Sequence, residues 1–359
     1  MDWFSPRESL RIALTLALAL AAALLCVGLR TPIPWMLGPL IATGIASVLR
    51  QPTRSAVPLR NVGQWTIGAA LGLYFTPQVT ALVASLWWAV VLGILWALVL
   101  GWGFAAWLHK GHAQVFGGTP QQNRATSYYA GAIGGASEMA LLAERDGART
   151  DLVAAAHSLR ILIVTIVLPF AFTLGDLHGA DTMPPGVRDV RWAGMAWLAL
   201  ATLAGILLLR ATGRTNPWFM GALVVSMALT MAGAELTAIP AWMSSAAQLF
   251  IGVSLGVRFS PEFVHTAPRW LAAVALGTLV MIVLCAGFAW LLSLGTGLHA
   301  ATLVLGAAPG GIAEMAITAK VLQLGVPIVT AFQVCRLVAV LVLAGPMFVI
   351  FSRHKQQAA

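Results

Sequence analysis

The residues best suited to chemistry lie in a short motif that occurs twice, a glycine pair followed two residues later by a glutamate and a methionine. The two copies are Gly134-Gly135-x-x-Glu138-Met139 and Gly310-Gly311-x-x-Glu314-Met315. Both glutamates lie inside apolar segments, whereas the other acidic residues lie at segment ends, in loops or near the N-terminus. A carboxylate within lipid costs about 2.5–3.5 kcal/mol, so it needs a partner, a water-filled cavity or a proton. The two acids are therefore the first candidates for a functional site.

An arginine follows each glutamate after 22 residues, Arg160 after Glu138 and Arg336 after Glu314. The midpoint of each interval is a turn region, so the acid and the arginine should lie at similar depth on adjacent antiparallel helices. The spacing predicts one acid–base pair in each half of the chain. Such a pair is either purely structural, locking a helical hairpin, or part of a binding site, and the sequence leaves both interpretations open.

The glycine pairs, with Pro309 before the second one, predict that both segments are broken helices. A break frees backbone carbonyls and exposes the positively polarised N-terminus of the following half-helix, which can hold an anion. Glycine- or proline-broken segments at corresponding places in two halves are typical of a transporter site. His157 and Gln333, three residues before the arginines, are candidates for a proton relay.

The composition indicates a membrane protein. Only 9% of the 359 residues are charged and 59% are hydrophobic, more apolar surface than a soluble fold of this size can bury. Soluble enzymes, nucleic-acid-binding domains and disordered proteins are excluded on this ground. Several apolar runs reach the ~20 residues that cross a bilayer as a helix, and in lipid such segments must be helical. We therefore expect an all-α polytopic protein with the lipid bilayer as its main partner and no nucleic acid.

The sequence is duplicated. Besides the glutamate motif, Pro34-Trp35-x-x-Gly38 recurs as Pro217-Trp218-x-x-Gly221, and a longer pattern from Gln64 recurs from Gln248. We predict a first repeat over 1–175, a polar linker over 176–190, and a second repeat over 191–359 that ends in a short cytoplasmic tail. The six apolar segments of each repeat are predicted at about 10–29, 34–49, 61–76, 78–108, 125–144 and 151–175, and at 192–210, 217–234, 241–258, 268–294, 298–320 and 326–352.

Two topologies fit these twelve segments. Either all twelve cross the membrane, or the broken fifth segment of each half re-enters on the same side, which leaves ten spans and two re-entrant hairpins. The positive-inside rule favours the second, with a cytoplasmic N-terminus. Five crossings per half then give the halves inverted topology, as in many secondary transporters.

On the glutamate motifs, the trailing arginines and the Pro-Trp-x-x-Gly segments, the chain resembles the bacterial AbrB-type membrane proteins over about residues 10–350. The resemblance implies a duplicated, transporter-like protein of the bacterial inner membrane and leaves the substrate open. Some such proteins are labelled ammonia monooxygenases, but no clustered metal-ligand set supports that chemistry here. Ile133 stands where the second copy has Pro309, so any site is placed more safely at the second copy.

Together these features predict a secondary transporter of a small polar or anionic solute, bound near the midplane between the two motifs, rather than an enzyme. The arginines and half-helix N-termini would hold negative groups, while a glutamate carries a coupling proton or helps to hold sodium. No cofactor or metal is expected. The alternatives are a membrane sensor or regulator that acts through a partner, and a channel. The sequence leaves the oligomeric state open, a homo-oligomer included.

Overall fold

The computed structural model describes residues 6–112, 119–179, 189–213, 216–234, 236–259 and 268–353. Within these ranges the regular structure is helical, and no described residue belongs to a strand. Residues 180–188 of the predicted linker and the C-terminal tail from residue 354 lie outside the described residues. The predicted all-α class is confirmed for the part of the chain that the structure describes.

The helices follow the predicted apolar segments with one difference, which is that the segment at 78–108 forms two helices. The fifth segment of each half is broken into two, as the glycine pairs predicted. The first half contains α1 (Pro6–Gly28), α2 (Pro34–Val48), α3 (Val57–Gly72), α4 (Pro77–Ser85), α5 (Trp87–His112), α6 (Pro120–Gly131), α7 (Ala136–Arg145) and α8 (Thr150–Leu174). The second half contains α9 (Trp192–Ala211), α10 (Pro217–Met231), α11 (Ala241–Gly256), α12 (Pro268–Thr296), α13 (Ala300–Ala307), α14 (Ile312–Val321) and α15 (Val326–Arg353).

Six of the described helices, α1, α5, α8, α9, α12 and α15, are long and apolar enough to cross a bilayer. Helices α3 and α4 together also qualify, but they are bent by 84° where they join. Helices α2 and α10 are apolar but have only 15 residues each, which is about 22 Å of helix. These features identify a multi-pass membrane protein. The count of ten spans stays a prediction.

Prolines start α2 and α10, as the sequence predicted. Pro34 and Pro217 occupy the first helical turn, where their missing N–H has no intrahelical partner to lose. The residues before them, Ile33 and Asn216, have left-handed backbone conformations with φ of 47° and 54°. The chain therefore turns sharply just before each of the equivalent helices α2 and α10.

The first of two compact units comprises Met1–Ala84, Pro169–Thr266 and Ala316–Pro327. In it α2 packs on α11, and α3 packs on α10. Since α10 is the repeat equivalent of α2 and α11 that of α3, the duplication relates these two contacts to each other. Gly68 and Gly252 allow this close approach, since a Cβ at either would overlap the backbone oxygen of Phe219 or Met36 respectively. Small residues that let helix backbones approach closely are typical of helix contacts in membrane proteins.

The second unit comprises Ser85–Leu168, Ala267–Met315 and Ile328–Ala359. Within it α5 packs against α6 and α12, and α12 packs against α13. Its hydrophobic core includes residues of both broken segments, such as Ile133, Met139 and Ala307. Each compact unit thus combines helices of both sequence halves, and the second contains both glutamate motifs.

Candidate functional site

Both fifth segments are broken at the glycine pairs, as predicted. In the first, residues 132–135 separate α6 from α7, and Ala132 and Gly135 are extended with ψ of 137° and 141°. In the second, residues 308–311 separate α13 from α14, and Ala308 is extended with ψ of 143°. Each break leaves carbonyls at the end of one helix and N–H groups at the start of the next without intrahelical partners.

Arg160 of α8 binds the carbonyls that the first break leaves free. Its Nη1 donates to the oxygens of Ala130 and Gly131, each at 3.4 Å, and its Nη2 donates to the oxygen of Ala132 at 2.9 Å. Nη2 also donates to Nδ1 of His157 at 2.6 Å. The guanidinium is buried, so it caps the C-terminal end of α6 inside the protein.

Arg336 of α15 does the same at the second break. Its Nη1 donates to the oxygen of Ala308 at 2.5 Å, and its Nη2 donates to the oxygens of Gly310 at 3.0 Å and of the Gln333 amide at 2.6 Å. This side chain is also buried. The two halves therefore solve the problem of free carbonyls in lipid with the same residue at the same place.

The predicted acid–base pairs of Glu138 with Arg160 and of Glu314 with Arg336 stay predictions. In the described contacts, both arginines donate to backbone carbonyls at their break. The reason is that a guanidinium carries five donors, and a helix end in lipid offers several unsatisfied acceptors at once.

Each glutamate instead folds back over the N-terminus of its own half-helix. Glu138 is the third residue of α7, and a Cβ built on Gly135 would overlap its Oε2. Glu314 is the third residue of α14, and a Cβ on Gly311 would overlap its Oε2 in the same way. A glutamate at this position, reaching back to the residue before the helix, is a recognised N-terminal cap. The second glycine of each motif is therefore required by the carboxylate.

The methionines explain the first glycine of each motif. A Cβ on Gly134 would lie 2.8 Å from Cε of Met139, and a Cβ on Gly310 would lie 3.0 Å from Cε of Met315. Both methionines are fully buried. The motif therefore stabilises a break in the helix. Its first glycine leaves space for the methionine side chain, and its second leaves space for the glutamate carboxylate.

These caps change the predicted role of the half-helix N-termini. The partial positive charge at the start of α7 and α14 already faces the carboxylates of Glu138 and Glu314. An external anion at either N-terminus would compete with that resident carboxylate. The arginines are consequently better candidates for holding a negative group.

His157 and Gln333 act as equivalent bridges between an arginine and the preceding helix. Because Nδ1 of His157 accepts from Arg160, its proton lies on Nε2, which donates to the oxygen of Tyr129 at 2.9 Å. Gln333 likewise accepts from its arginine, and its Nε2 donates to the oxygens of Leu305 and Ala308, at 2.7 and 3.1 Å. An amide fills this role in one half, so nothing in the geometry requires the predicted proton relay.

Sequence reasoning missed the contacts that close the first hairpin. Oγ1 of Thr126 accepts from the backbone N–H of Arg149 at 3.0 Å, and the Tyr129 hydroxyl donates to Oδ2 of Asp146. The chain therefore returns after α7 to the level of the early part of α6. A tyrosine within an apolar segment, followed by an aspartate in the next turn region, was the available signal.

Residues of α5, α6, α15 and the first break line a small cleft that is partly open to the surface. Its walls include Gly101, Ala132, Ile133 and Val340 and are almost wholly apolar. No group of three or more His, Cys, Asp or Glu residues is arranged for metal binding in the described part of the chain. The residues that line the cleft therefore do not form a set of metal or cofactor ligands.

Comparison with known proteins places the chain in a family. A sequence model described as "Transition state regulatory protein AbrB" matches residues 35–352. The chain is 28% identical over 347 residues to "Putative regulator AbrB" of Escherichia coli (strain K12), an alignment that covers 94% of each protein. It is 26% identical over 342 residues to "Uncharacterized protein YhjN" of Bacillus subtilis (strain 168), covering 88% of this chain and 86% of that protein. The chain belongs to the AbrB family, which confirms the resemblance drawn from its motifs.

Proposed function

We propose that this member of the AbrB family is a secondary transporter of a small polar or anionic solute in the bacterial inner membrane. The solute binds near the breaks at residues 132–135 and 308–311, and an ion gradient of protons or sodium drives its movement. Glu138 and Glu314 are the groups that exchange a proton or help to hold the coupling cation. Arg160 and Arg336 attract the negative group of the solute.

One observation carries this proposal. The two breaks come from opposite halves of the sequence, yet both lie in one compact unit, each with a buried arginine. Non-helical backbone at membrane depth is tolerated only where protein or a water-filled cavity surrounds it. Paired broken helices in two repeats are the arrangement that secondary transporters use to bind solute and ion.

The proposed topology is ten spans and two re-entrant hairpins, with inverted halves at 1–175 and 191–359. The return of the chain from α7 to the level of Thr126 supports a re-entrant first hairpin. Helix α6, at 12 residues, is about 18 Å long and too short to cross the ~30 Å core by itself.

A second candidate is a membrane regulator that acts through a partner protein. The family description and the name of the Escherichia coli relative favour it. Recovery of a partner after crosslinking in native membranes, with no solute-driven current from the reconstituted protein, would favour the regulator. Single-channel currents in planar bilayers would instead identify a channel.

The decisive variant is Glu314→Gln. Glutamine keeps the size of the side chain and an oxygen that can cap α14, but it carries neither charge nor exchangeable proton. We expect the variant to fold and to lose ion-coupled transport. Proteoliposomes on a solid-supported membrane, challenged with organic acids, amino acids and inorganic anions across pH and with or without sodium, measure the solute-driven current.

Glu144→Gln is the matched control, because Glu144 is an exposed glutamate at the end of α7. It should transport as the parent protein does. Glu138→Gln reports whether the first break contributes equally. Unchanged coupled transport in a folded Glu314→Gln protein would reduce Glu314 to a structural cap and refute its proposed role.

A further inference from the structure

One of the N–H donors of the Arg160 guanidinium has no hydrogen-bond acceptor. A guanidinium has five N–H groups, four on Nη1 and Nη2 and one on Nε. The four contacts of Nη1 and Nη2, to Ala130, Gly131, Ala132 and His157, account for those four. Nε is buried and has no hydrogen-bond partner.

The same atom is left over at the second break. Arg336 uses Nη1 for Ala308 and Nη2 for Gly310 and Gln333, while its Nε is also buried without a partner. Both side chains are at least nine-tenths buried, at 2% and 5% exposure. Nε of Arg60 and of Arg124 is also buried without a partner. Arg160 and Arg336 differ from these two in that they occupy equivalent positions behind the two glutamate motifs.

A buried charged donor without an acceptor is costly, and native proteins rarely retain one without a water or ion beside it. The neighbouring groups are already engaged. His157 and Gln333 accept from Nη2, and the carboxylates of Glu138 and Glu314 lie over the glycines. An anion would satisfy the orphaned N–H groups.

We propose that the Nε–H groups of Arg160 and Arg336 are the anchor for a small anion, either a halide or the carboxylate of an organic acid. The inference rests on the proposed function and deepens it, because it names the charged group of the solute and the atoms that hold it. The remaining donors of each arginine keep the break in shape, so one residue both builds the site and binds the ligand.

The test uses the full-length protein in lipid nanodiscs with ¹⁵N-labelled arginine, whose Nε–H resonances are followed during titration. Sodium acetate and sodium chloride are the probes at constant ionic strength, and acetamide is the uncharged analogue of acetate. We expect a saturable shift of the Arg160 and Arg336 resonances with acetate, with chloride, or with both, and none with acetamide. A response to acetate alone identifies a carboxylate site, and a response to both identifies a general small-anion site.

Arg160→Lys and Arg336→Lys assign the resonances and remove Nε–H while keeping the positive charge. Each should weaken acetate or chloride binding by at least about 10-fold, the effect of one hydrogen bond to a charged group. Arg145→Lys is the matched control, because its side chain is largely exposed in the same unit, and it should bind as the parent does. If the lysine variants do not fold, the titration of the parent protein still shows whether acetate or chloride binds saturably.

Absence of a saturable shift, an equal shift with acetamide, or unchanged binding in both folded lysine variants would overturn the anion site and leave water as the occupant. These outcomes are separable from failure of the transporter proposal. Transport of an uncharged or cationic solute without anion binding would refute the site alone. Anion binding with no current for any solute would refute the transporter alone.

Discussion

Replacing His157 by glutamine, the residue that Gln333 supplies at the equivalent position, tests whether His157 has any role beyond hydrogen bonding. His157 and Gln333 each accept from an arginine Nη2 and donate to a carbonyl of the preceding helix. We predict that His157→Gln is close to neutral, since glutamine offers the same acceptor and the same donor. His157→Leu, which is similar in size but apolar, removes both.

The cost of His157→Leu follows from the two contacts it breaks. Loss of the bond to the Tyr129 carbonyl, 2.9 Å in length, costs about 0.6–1 kcal/mol in a membrane interior. Loss of the 2.6 Å contact leaves one buried donor of Arg160 without an acceptor, which costs about 1.5–3 kcal/mol. The free energy of unfolding should therefore fall by about 2–4 kcal/mol in His157→Leu and by less than about 1 kcal/mol in His157→Gln.

Steric trapping in bicelles measures the free energy of unfolding of both variants, and solute-driven currents across pH measure their transport. His157→Gln should keep the pH profile of the parent, because a residue that serves only as a neutral bridge does not carry the transported proton. A glutamine variant as unstable as the leucine variant would refute the equivalence of the two bridges. A flattened pH profile in a stable glutamine variant would restore His157 as a proton relay.

Two glycine substitutions separate a capping contact from a packing contact. Gly135→Ala should cost only about 1 kcal/mol of unfolding free energy, because its Cβ displaces the flexible end of Glu138 and removes a cap. Gly68→Ala should cost about 1–3 kcal/mol, because its Cβ overlaps the backbone oxygen of Phe219, which cannot move alone. Gly287→Ala, in open space on α12, is the control in the same unfolding measurement and should not destabilise the protein.

The sequence alone predicted the helices that the lipid environment requires. In a bilayer an apolar run must be a helix, so the run lengths predicted most of the helix bounds to within a few residues. The glycine pairs predicted the breaks because no other local feature explains two adjacent glycines within an apolar segment. The ordered repeats predicted which helices correspond, and the contacts of α2 with α11 and of α3 with α10 repeat in that order.

The partners of the charged residues could not be predicted from spacing. Spacing fixes depth along a helix, and depth alone made Glu138 and Arg160 look like a pair. Once the helix breaks, however, the free carbonyls at the end of α6 accept from Arg160, and the carboxylate of Glu138 lies beside Gly135 at the start of α7. Each charged side chain then caps the helix end of opposite polarity, an outcome that depends on the local fold of the break.

The division into compact units was equally hidden from the sequence. Duplication suggests two separate halves, yet each unit takes helices from both. Both breaks, at residues 132–135 and 308–311, belong to the second unit.

Duplication also indicates where chemistry should be sought within that unit. The carbonyls, the carboxylates, the methionines and the bridging residues satisfy one another in the same way in both halves, so they account for the shape of each break and require no ligand. In both copies this mutual satisfaction leaves a buried Nε–H without an acceptor, on Arg160 and on Arg336. A structural motif has no reason to repeat an unsatisfied donor, because it lowers stability at both places. A binding site does have a reason, since a donor that the protein holds in place is ready for the negative group of a solute.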